Sequence, residues 1–167
     1  YVIPSGSMEY TLLPGDHVLV DKSAYGMRLP FTKWKLTPGD EPHQGEIVIF
    51  DSPEDGTRLI KRIVAVAGDV VRIENGELVV DGRSTREPGA HDVEIVGGHV
   101  ADLNLSFGGG VDLPPTEIAA GQVLVIGDAR GNSRDGRFFG TIEADSIYGK
   151  AESIIYRRGA GLVWRPL

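Results

Sequence analysis

Two short segments of this chain contain residue types that could carry out nucleophilic catalysis. One is the Pro-Ser-Gly-Ser-Met sequence of residues 4–8, and the other is the Leu-Ile-Lys-Arg sequence of residues 59–62. A serine hydroxyl becomes a good nucleophile when a nearby base accepts its proton, and a lysine amine can be that base only while it is uncharged. Each segment alone is weak evidence, but together they look like the two halves of one site in which a serine and Lys61 would meet.

Lys61 lies in a setting that favours the uncharged amine. A lysine in water has a pKa of about 10.4, and burial without a carboxylate partner can lower it by up to about 3 to 5 units. Apolar residues flank Lys61 on both sides, and the nearest acidic residues along the chain, Asp55 and Asp69, lie in predicted turns. Strand alternation points the permanently charged Arg62 to the opposite face. The alternative is that Lys61 extends from a sheet edge into water.

A third segment adds to these two. Residues 127–137 read Gly-Asp-Ala-Arg-Gly-Asn-Ser-Arg-Asp-Gly-Arg, while a Thr-Leu pair follows the first segment and a Gly-Asp pair follows the second. In this order the three segments resemble the bacterial type I signal peptidases, or leader peptidases, a family of serine-lysine proteases. These membrane-bound enzymes cut leader sequences from exported proteins. The resemblance extends over residues 1–82 and 121–151.

The resemblance implies a role for each serine in these segments. Ser7 would be the nucleophile and Lys61 the general base. The hydroxyl of Ser5 and the backbone amide of Ser7 would stabilise the oxyanion, and a donor of this kind is typically worth about 3 to 4 kcal/mol. Ser133 would hydrogen-bond the lysine amine and aim its lone pair at the nucleophile. For Ser5 the alternative is the capping of a turn.

Charged residues of the third segment are expected to support the site without taking part in the reaction. By the same resemblance, Asp128 belongs to the turn that leads into the loop with Ser133. Asp135 and Arg137 would brace this loop through an ion pair. Their expected role is therefore structural.

The resemblance also implies shallow apolar pockets beside the nucleophile. Their walls would be formed by Ile3, Met8, Leu12, Val18, Ile49, Leu59 and Ile60. Shallow pockets accept small side chains, so the expected substrates are preprotein signal peptides with Ala or another small residue at positions −1 and −3, bound as an extended strand. Core packing is the alternative for every wall residue, and most of all for Leu12 and Ile49.

The composition argues against several other classes of function. The 167-residue chain has a net charge of −7 and a pI near 5.0, whereas binding to nucleic-acid phosphates depends on clustered Lys and Arg. It contains no cysteine, which excludes thiol nucleophiles, zinc thiolate sites and disulfides. Chemistry by a serine and a lysine needs neither a metal nor another cofactor.

The position of the first segment predicts a membrane-anchored protein. The chain begins with Tyr1 and has no run of about 18 apolar residues, yet its best motif lies within the first ten positions. We therefore expect a preceding membrane anchor that places Ser7 just outside the cytoplasmic membrane, on the extracytoplasmic side. Residues 25–42 include Phe31 and Trp34 among lysines, which suits a membrane interface. The alternative for these residues is a surface loop with one aromatic side chain packed inward.

The elements that must position these residues are β-strands. Short apolar runs with a period of two predict an all-β fold of antiparallel coiled sheets or a partly open barrel, and 23 glycines and 10 prolines fit its many turns. Asn75-Gly76 predicts a tight type I′ hairpin, and residues 143–147 suggest a short helical turn. The predicted strands span residues 17–20, 46–50, 58–66, 70–74, 77–80, 122–126 and 151–156.

The domain organisation follows from where this pattern is interrupted. Residues 1–82 and 121–167 are predicted to form the catalytic β core. Residues 83–120 contain several glycine pairs and no sustained pattern, which indicates an inserted irregular subdomain or extended loops.

Other sites and functions compete with this interpretation. A histidine-based triad could use His17, His43, His91 or His99, and a metal could bind between residues 91 and 102, although none of these residues has a catalytic or metal-binding spacing. A peptidase that processes pilins, or a self-cleaving repressor, would share the serine-lysine chemistry. A protein of this fold could also bind peptides without catalysis and assist pilus assembly.

Overall fold

The computed structural model describes residues 1–26 and 39–167, and its regular structure is almost entirely β. The strands are β1 (His17–Asp21), β2 (Ile47–Asp51), β3 (Arg58–Val66), β4 (Val70–Glu74), β5 (Glu77–Val80), β6 (Arg83–Ser84), β7 (Val93–Val96), β8 (His99–Asp102), β9 (Leu113–Glu117), β10 (Gln122–Ile126), β11 (Ile142–Glu143), β12 (Gly149–Arg157) and β13 (Gly161–Pro166). The helical elements are α1 (Gly136–Phe139) and the 3₁₀ turns Gly6–Met8, Arg130–Asn132 and Ala144–Ser146. The predicted interface residues Phe31 and Trp34 lie outside the described residues.

The strands form three antiparallel sheets. The largest has seven strands in the order β1-β12-β2-β3-β10-β11, with β13 paired to β12. A four-stranded sheet has the order β6-β5-β4-β9, and β7 and β8 form a separate hairpin. Within the described residues no ladder joins β1 to β11, so the large sheet is open and does not close into a barrel. The all-β prediction is therefore confirmed.

The predicted strands are present close to their predicted bounds. Four of them, β3, β4, β5 and β10, begin and end where the period-two pattern does, and β1, β2 and β12 differ by one or two residues. Asn75 and Gly76 have φ values of 50° and 79°, which is the left-handed backbone that a type I′ turn requires at both positions. The helical turn expected near residue 145 is the 3₁₀ turn Ala144–Ser146. The sequence pattern did not predict β11 or β13.

β3 is the central element for the site. It pairs with β2 on one side and β10 on the other, and both of its faces are covered by apolar clusters. Six consecutive residues, from Ile60 to Ala65, are consequently buried. Lys61 and Arg62 fall inside this run, so neighbouring cations that point to opposite faces are both removed from water.

Residues 83–120 take part in more than one sheet. β6 and β9 pair with β5 and β4 and complete the four-stranded sheet, whereas β7 and β8 pair only with each other among the strands of the described chain. The division into a core and an inserted subdomain stays a prediction. Among the described residues, no helix has the length and the apolar character that crossing a bilayer requires.

Candidate active site

Ser7 lies in the 3₁₀ turn Gly6–Met8, which is fixed to the core from two directions. Met8 is fully buried in an apolar cluster with side chains of β1, β2 and β3. The backbone N–H of Ala129 donates to the Ser7 carbonyl at 3.1 Å, so the loop before Ser133 also holds the turn. Ser7 itself is half-buried, which leaves its side chain within reach of a substrate.

Ser5 is the exposed residue immediately before this turn. Its backbone is extended, and its side chain makes no capping hydrogen bond to any described residue. Turn capping, the alternative role for Ser5, is therefore not what its hydroxyl does in this structure. The exposed hydroxyl is thus not occupied by a capping bond to the described residues.

Lys61 reaches Ser7 from β3. Its Nζ lies 2.6 Å from Ser7 Oγ and 3.1 Å from the Ile60 carbonyl oxygen. Only 2% of the Lys61 residue is exposed, and none of the ion pairs in the described chain includes it. The alternative in which this lysine extends into water is excluded by its burial. The distance to Ser7 is short enough for direct proton transfer between oxygen and nitrogen.

Burial lowers the pKa of Lys61 from 10.5 to about 8. The negative charges of Asp135 and Asp128 act in the opposite direction, and the positive charge of Arg137 adds slightly to the lowering. At this pKa about one lysine in ten is neutral at pH 7, compared with about one in 2500 for a lysine in water. The site therefore supplies a usable population of the free amine near neutral pH.

Asp128 is neutralised by Arg62 on the other side of β3. The Arg62 guanidinium donates to both Asp128 oxygens, at 3.1 and 2.8 Å, and also to the Gly45 carbonyl at 2.8 Å. Thr11 Oγ1 donates to Asp128 Oδ2 at 2.6 Å. Asp128 and Arg62 are each 1% exposed. The pair joins the segment after Ser7 to β3 and to the loop that precedes Ser133.

Asp135 is neutralised by Arg137 within the third segment. Arg137 donates to both Asp135 oxygens, at 2.8 and 2.9 Å, and Gly127 N–H donates to Asp135 Oδ2 at 2.9 Å. Asp135 also caps α1 by accepting from the Arg137 backbone N–H at 3.2 Å. Both carboxylates near Lys61 thus have an arginine partner, so neither is free to form an ion pair with the lysine.

Ser133 does not make the hydrogen bond to Lys61 that the resemblance implies. It is 8% exposed, and its buried Oγ has no hydrogen-bond partner among the described residues. The hydroxyl packs instead against Gly127, where an added Cβ would lie 2.2 Å from Ser133 Oγ and 2.4 Å from the Ser7 carbonyl oxygen. The close approach of these three residues fixes the direction of Ser133, and only glycine fits at position 127.

The expected pocket walls are core residues. Ile3, Met8, Leu12, Val18, Ile49 and Ile60 are between 0% and 4% exposed and belong to one apolar cluster. Leu59 is half-buried and packs against a different cluster. The structure thus places the first six in the apolar core, where little of their surface is exposed. Their role as walls of a substrate pocket stays a prediction.

The described residues do not form the competing histidine or metal sites. His17 stacks edge-to-face on Tyr156 at a centroid distance of 5.1 Å, and in the described chain no histidine side chain hydrogen-bonds a serine. The structure brings no three His, Asp or Glu side chains together in a metal-binding group within residues 1–26 and 39–167. Asp102, one of the residues considered for a metal, pairs instead with Arg165 at 2.8 Å.

Two residues of the site were not among the predicted ones. Arg62 was expected only to point away from Lys61, and Thr11 was noticed only as part of the Thr-Leu pair. Both bind Asp128. The signal that could have identified Arg62 was its place in a long apolar strand, because a permanently charged residue buried there requires a carboxylate partner.

Comparisons with known proteins find matches over most of the chain. A family model described as "Signal peptidase, peptidase S26" matches residues 1–156. A Signal peptidase I of Pseudomonas aeruginosa is 34% identical over 185 aligned residues, and the alignment covers 92% of this chain and 63% of that protein. A Signal peptidase I of Pseudomonas fluorescens is 32% identical over 179 residues, with the same coverage. The chain thus spans 63% of the length of these relatives.

A solved structure is also similar in part. The crystal structure of a signal peptidase I from Enterococcus faecalis V583 aligns with a TM-score of 0.46 and 23% sequence identity. This alignment covers 66% of the present chain and 97% of the other chain.

Proposed function

The chain belongs to the signal peptidase family, peptidase S26, and from this membership we propose that it is a serine endopeptidase that removes signal peptides from exported preproteins. The observation that carries the proposal is the 2.6 Å distance between Lys61 Nζ and Ser7 Oγ. The lowered pKa of Lys61, about 8, supports its role as the base. Family membership and this geometry favour hydrolysis over a role in peptide binding alone.

The reaction proceeds through an acyl-enzyme. Ser7 Oγ attacks the scissile carbonyl carbon while its proton passes to Lys61 Nζ. The tetrahedral intermediate collapses, the peptide C–N bond breaks, and Lys61 returns the proton to the leaving amine. Lys61 then takes a proton from water, which attacks the ester on Ser7; the C–O bond to Ser7 breaks, the signal peptide leaves with a free carboxylate, and Lys61 returns the proton to Ser7 Oγ. Each proton that Lys61 accepts is passed on within the cycle, so no cofactor is consumed.

The oxyanion is stabilised by two donors beside the nucleophile. The exposed hydroxyl of Ser5 and the backbone N–H of Ser7 are the candidates, and the absence of a capping bond from Ser5 to the described residues supports its availability. Donors of this kind are worth about 3 to 4 kcal/mol when they face the developing charge. Substituting Ser5 by alanine should therefore lower kcat by about two to three orders of magnitude.

The proposed substrates have small residues at positions −1 and −3. Met8 and Ile60, the chain neighbours of Ser7 and Lys61, belong to one buried apolar cluster, and this apolar setting supports a preference for small side chains. The proposed place of action is the extracytoplasmic face of the cytoplasmic membrane. That location follows from the proposed substrates, whose cleavage sites emerge there from the bilayer.

The test compares three forms of the protein on a leader-bearing precursor and on a fluorogenic Ala-X-Ala peptide, with detergent or lipid present. Wild type should cleave both substrates, whereas Ser7→Ala and Lys61→Met should each lower kcat by at least about 10³-fold because the serine and lysine act as one unit. Circular dichroism checks that all three forms are folded. A folded wild-type protein without turnover on either substrate would contradict the proposal and favour a peptide-binding scaffold.

A further inference from the structure

Residues 102–104, which follow β8, form backbone contacts with the segment that carries Ser7. Tyr10 N–H donates to the Asp102 carbonyl at 2.9 Å, and Asn104 N–H donates to the Glu9 carbonyl at 3.0 Å. Tyr10 and Leu103 form an isolated antiparallel bridge. The region with no predicted role therefore reaches the chain two residues after the nucleophile.

The same region also contacts the loop that carries Ser133. Asn104 N–H lies 3.1 Å from the Asp128 carbonyl as well. The Glu94 carboxylate, fully buried, binds the Arg130 guanidinium at 2.5 and 3.1 Å. Arg137 donates to the Gly109 carbonyl at 3.0 Å. Asn104 is the point where contacts to both catalytic segments meet in one residue.

The Asn104 side chain is held in a single orientation. It is 3% exposed, and its Oδ1 accepts from the Ser106 backbone N–H at 2.9 Å and from Ser106 Oγ at 2.7 Å. A backbone N–H can only donate, so the oxygen of the amide must face Ser106 and the Nδ2 group must face away. Nδ2 then donates to Glu9 Oε2 at 3.0 Å.

The Glu9 carboxylate in turn packs against the turn of the nucleophile. A Cβ added at Gly6 would lie 2.7 Å from Glu9 Oε1, so the carboxylate covers the residue that precedes Ser7. A movement of this carboxylate would therefore displace or release the turn Gly6–Met8. The chain of contacts runs from Asn104 through Glu9 and Gly6 to Ser7.

We propose that Asn104 is a positioning residue that sets the Ser7 turn against Lys61 and the Ser133 loop, through its hydrogen bond to Glu9. The inference rests on the proposed peptidase activity, since it concerns the geometry of that reaction. Among the described residues no hydrogen bond joins Asn104 to Ser7 or Lys61, so its effect is indirect. A displacement of the nucleophile by about 1 Å is enough to lower the rate by about 100-fold.

The test uses a substitution that keeps the size of the side chain and removes the donor of this hydrogen bond. Asn104→Asp keeps the acceptor that faces Ser106 and replaces the donor that faces Glu9 by a second negative charge. It should lower kcat on the Ala-X-Ala peptide by about 10- to 100-fold with KM changed less than about threefold. In the double variant Glu9→Gln with Asn104→Asp, the amide at position 9 can donate to the carboxylate at position 104, which restores the hydrogen bond in the reverse direction. Its kcat should recover to within about threefold of wild type. The matched control is Asn75→Asp, which makes the same chemical change in an exposed hairpin turn.

The outcomes separate this inference from the proposed function. An inactive, folded wild type would overturn the proposed function itself. If wild type is active and Asn104→Asp has the same kcat, or loses only thermal stability, Asn104 does not position the nucleophile. If the double variant stays as slow as Asn104→Asp, the Glu9 hydrogen bond is not the route. Slow turnover that the double variant repairs supports the inference, provided that Asn75→Asp matches wild type.

Discussion

Two neighbouring cations on opposite faces of β3 have different partners. Lys61 and Arg62 are 2% and 1% exposed, so both side chains have lost their water. Arg62 forms a bidentate ion pair with the buried carboxylate of Asp128. Lys61 has a hydroxyl and a backbone carbonyl and no carboxylate in contact among the described residues. The same burial therefore produces a permanent structural charge on one face and a titratable base on the other.

The difference follows from the chemistry of the two side chains. A guanidinium stays protonated at every physiological pH, so burial obliges the fold to provide a partner. An ammonium can lose its proton, and burial then lowers the pKa. Lys61 has no carboxylate partner among the described residues because Asp128 pairs with Arg62 and Asp135 pairs with Arg137. Reactivity at Lys61 thus depends on ion pairs elsewhere in the site.

The largest expected effect on stability comes from breaking the buried Arg62–Asp128 ion pair. Asp128→Asn leaves the buried Arg62 charge without compensation and should reduce the free energy of unfolding by about 3 to 5 kcal/mol. Urea denaturation at pH 7 measures the loss. The double variant Arg62→Met with Asp128→Leu removes both charges and should recover most of the stability. A loss below about 1 kcal/mol for Asp128→Asn would show that water or another group compensates Arg62.

Removing the charge of Lys61 should stabilise the protein, in contrast to Asp128→Asn. The folded-state pKa of Lys61, about 8, lies below its ordinary value of 10.5, so the unfolded chain binds more protons between these values and stability rises with pH there. The cost of burying the charge is present in full below pH 8 and is absent above pH 10.5. Lys61→Met should therefore raise the free energy of unfolding by up to about 3 kcal/mol at pH 7, and this gain should disappear by about pH 10.5.

Thermal melts of wild type and Lys61→Met between pH 6 and 10.5 test that sign. Both proteins retain Ser7, so a difference in stability between them reports the substitution of Lys61 alone. A variant that is less stable than wild type at pH 7, or a gain that does not change with pH, would contradict the buried and unpaired state of Lys61.

The smallest effect is expected from an ion pair at the surface. Arg134 binds Glu54 at 2.6 and 2.7 Å, although the Arg134 side chain is 65% exposed. Exposed pairs contribute little because water and salt screen them. Arg134→Ala should lower Tm by no more than about 2 °C and leave kcat unchanged. A larger shift would mean that distance, and not burial, decides the strength of these pairs.

The sequence was sufficient for the strands that build the scaffold. An apolar run as long as β3 indicates a strand whether one face or both faces are buried. Asn75-Gly76 specifies the turn between β4 and β5, because both residues readily adopt the positive φ that a type I′ turn requires. The strands β6 to β9, β11 and β13 were not predicted individually, because they are short and their apolar residues follow no sustained period. Tertiary pairing stabilises them, and a local pattern does not report such pairing.

The contact between the two proposed reacting groups was predictable from the sequence, whereas their surroundings were less so. Family resemblance placed Ser7 and Lys61 together, and their side chains are in contact. The direction of the Ser133 hydroxyl depends on the close approach of Gly127, which no sequence pattern contains. Likewise, an apolar residue beside a nucleophile can line a pocket or fill the core, and only the packing distinguishes the two for Leu12 or Met8.

The pH dependence of kcat/KM on the Ala-X-Ala peptide tests the central claim most directly, since this ratio reports the ionisation of the free enzyme. If neutral Lys61 is the base, as proposed, the ratio should rise between pH 6 and 10 with an apparent pKa near 8. A flat profile, or a rise centred near the value of about 10.4 that a lysine has in water, would contradict the buried amine as the base.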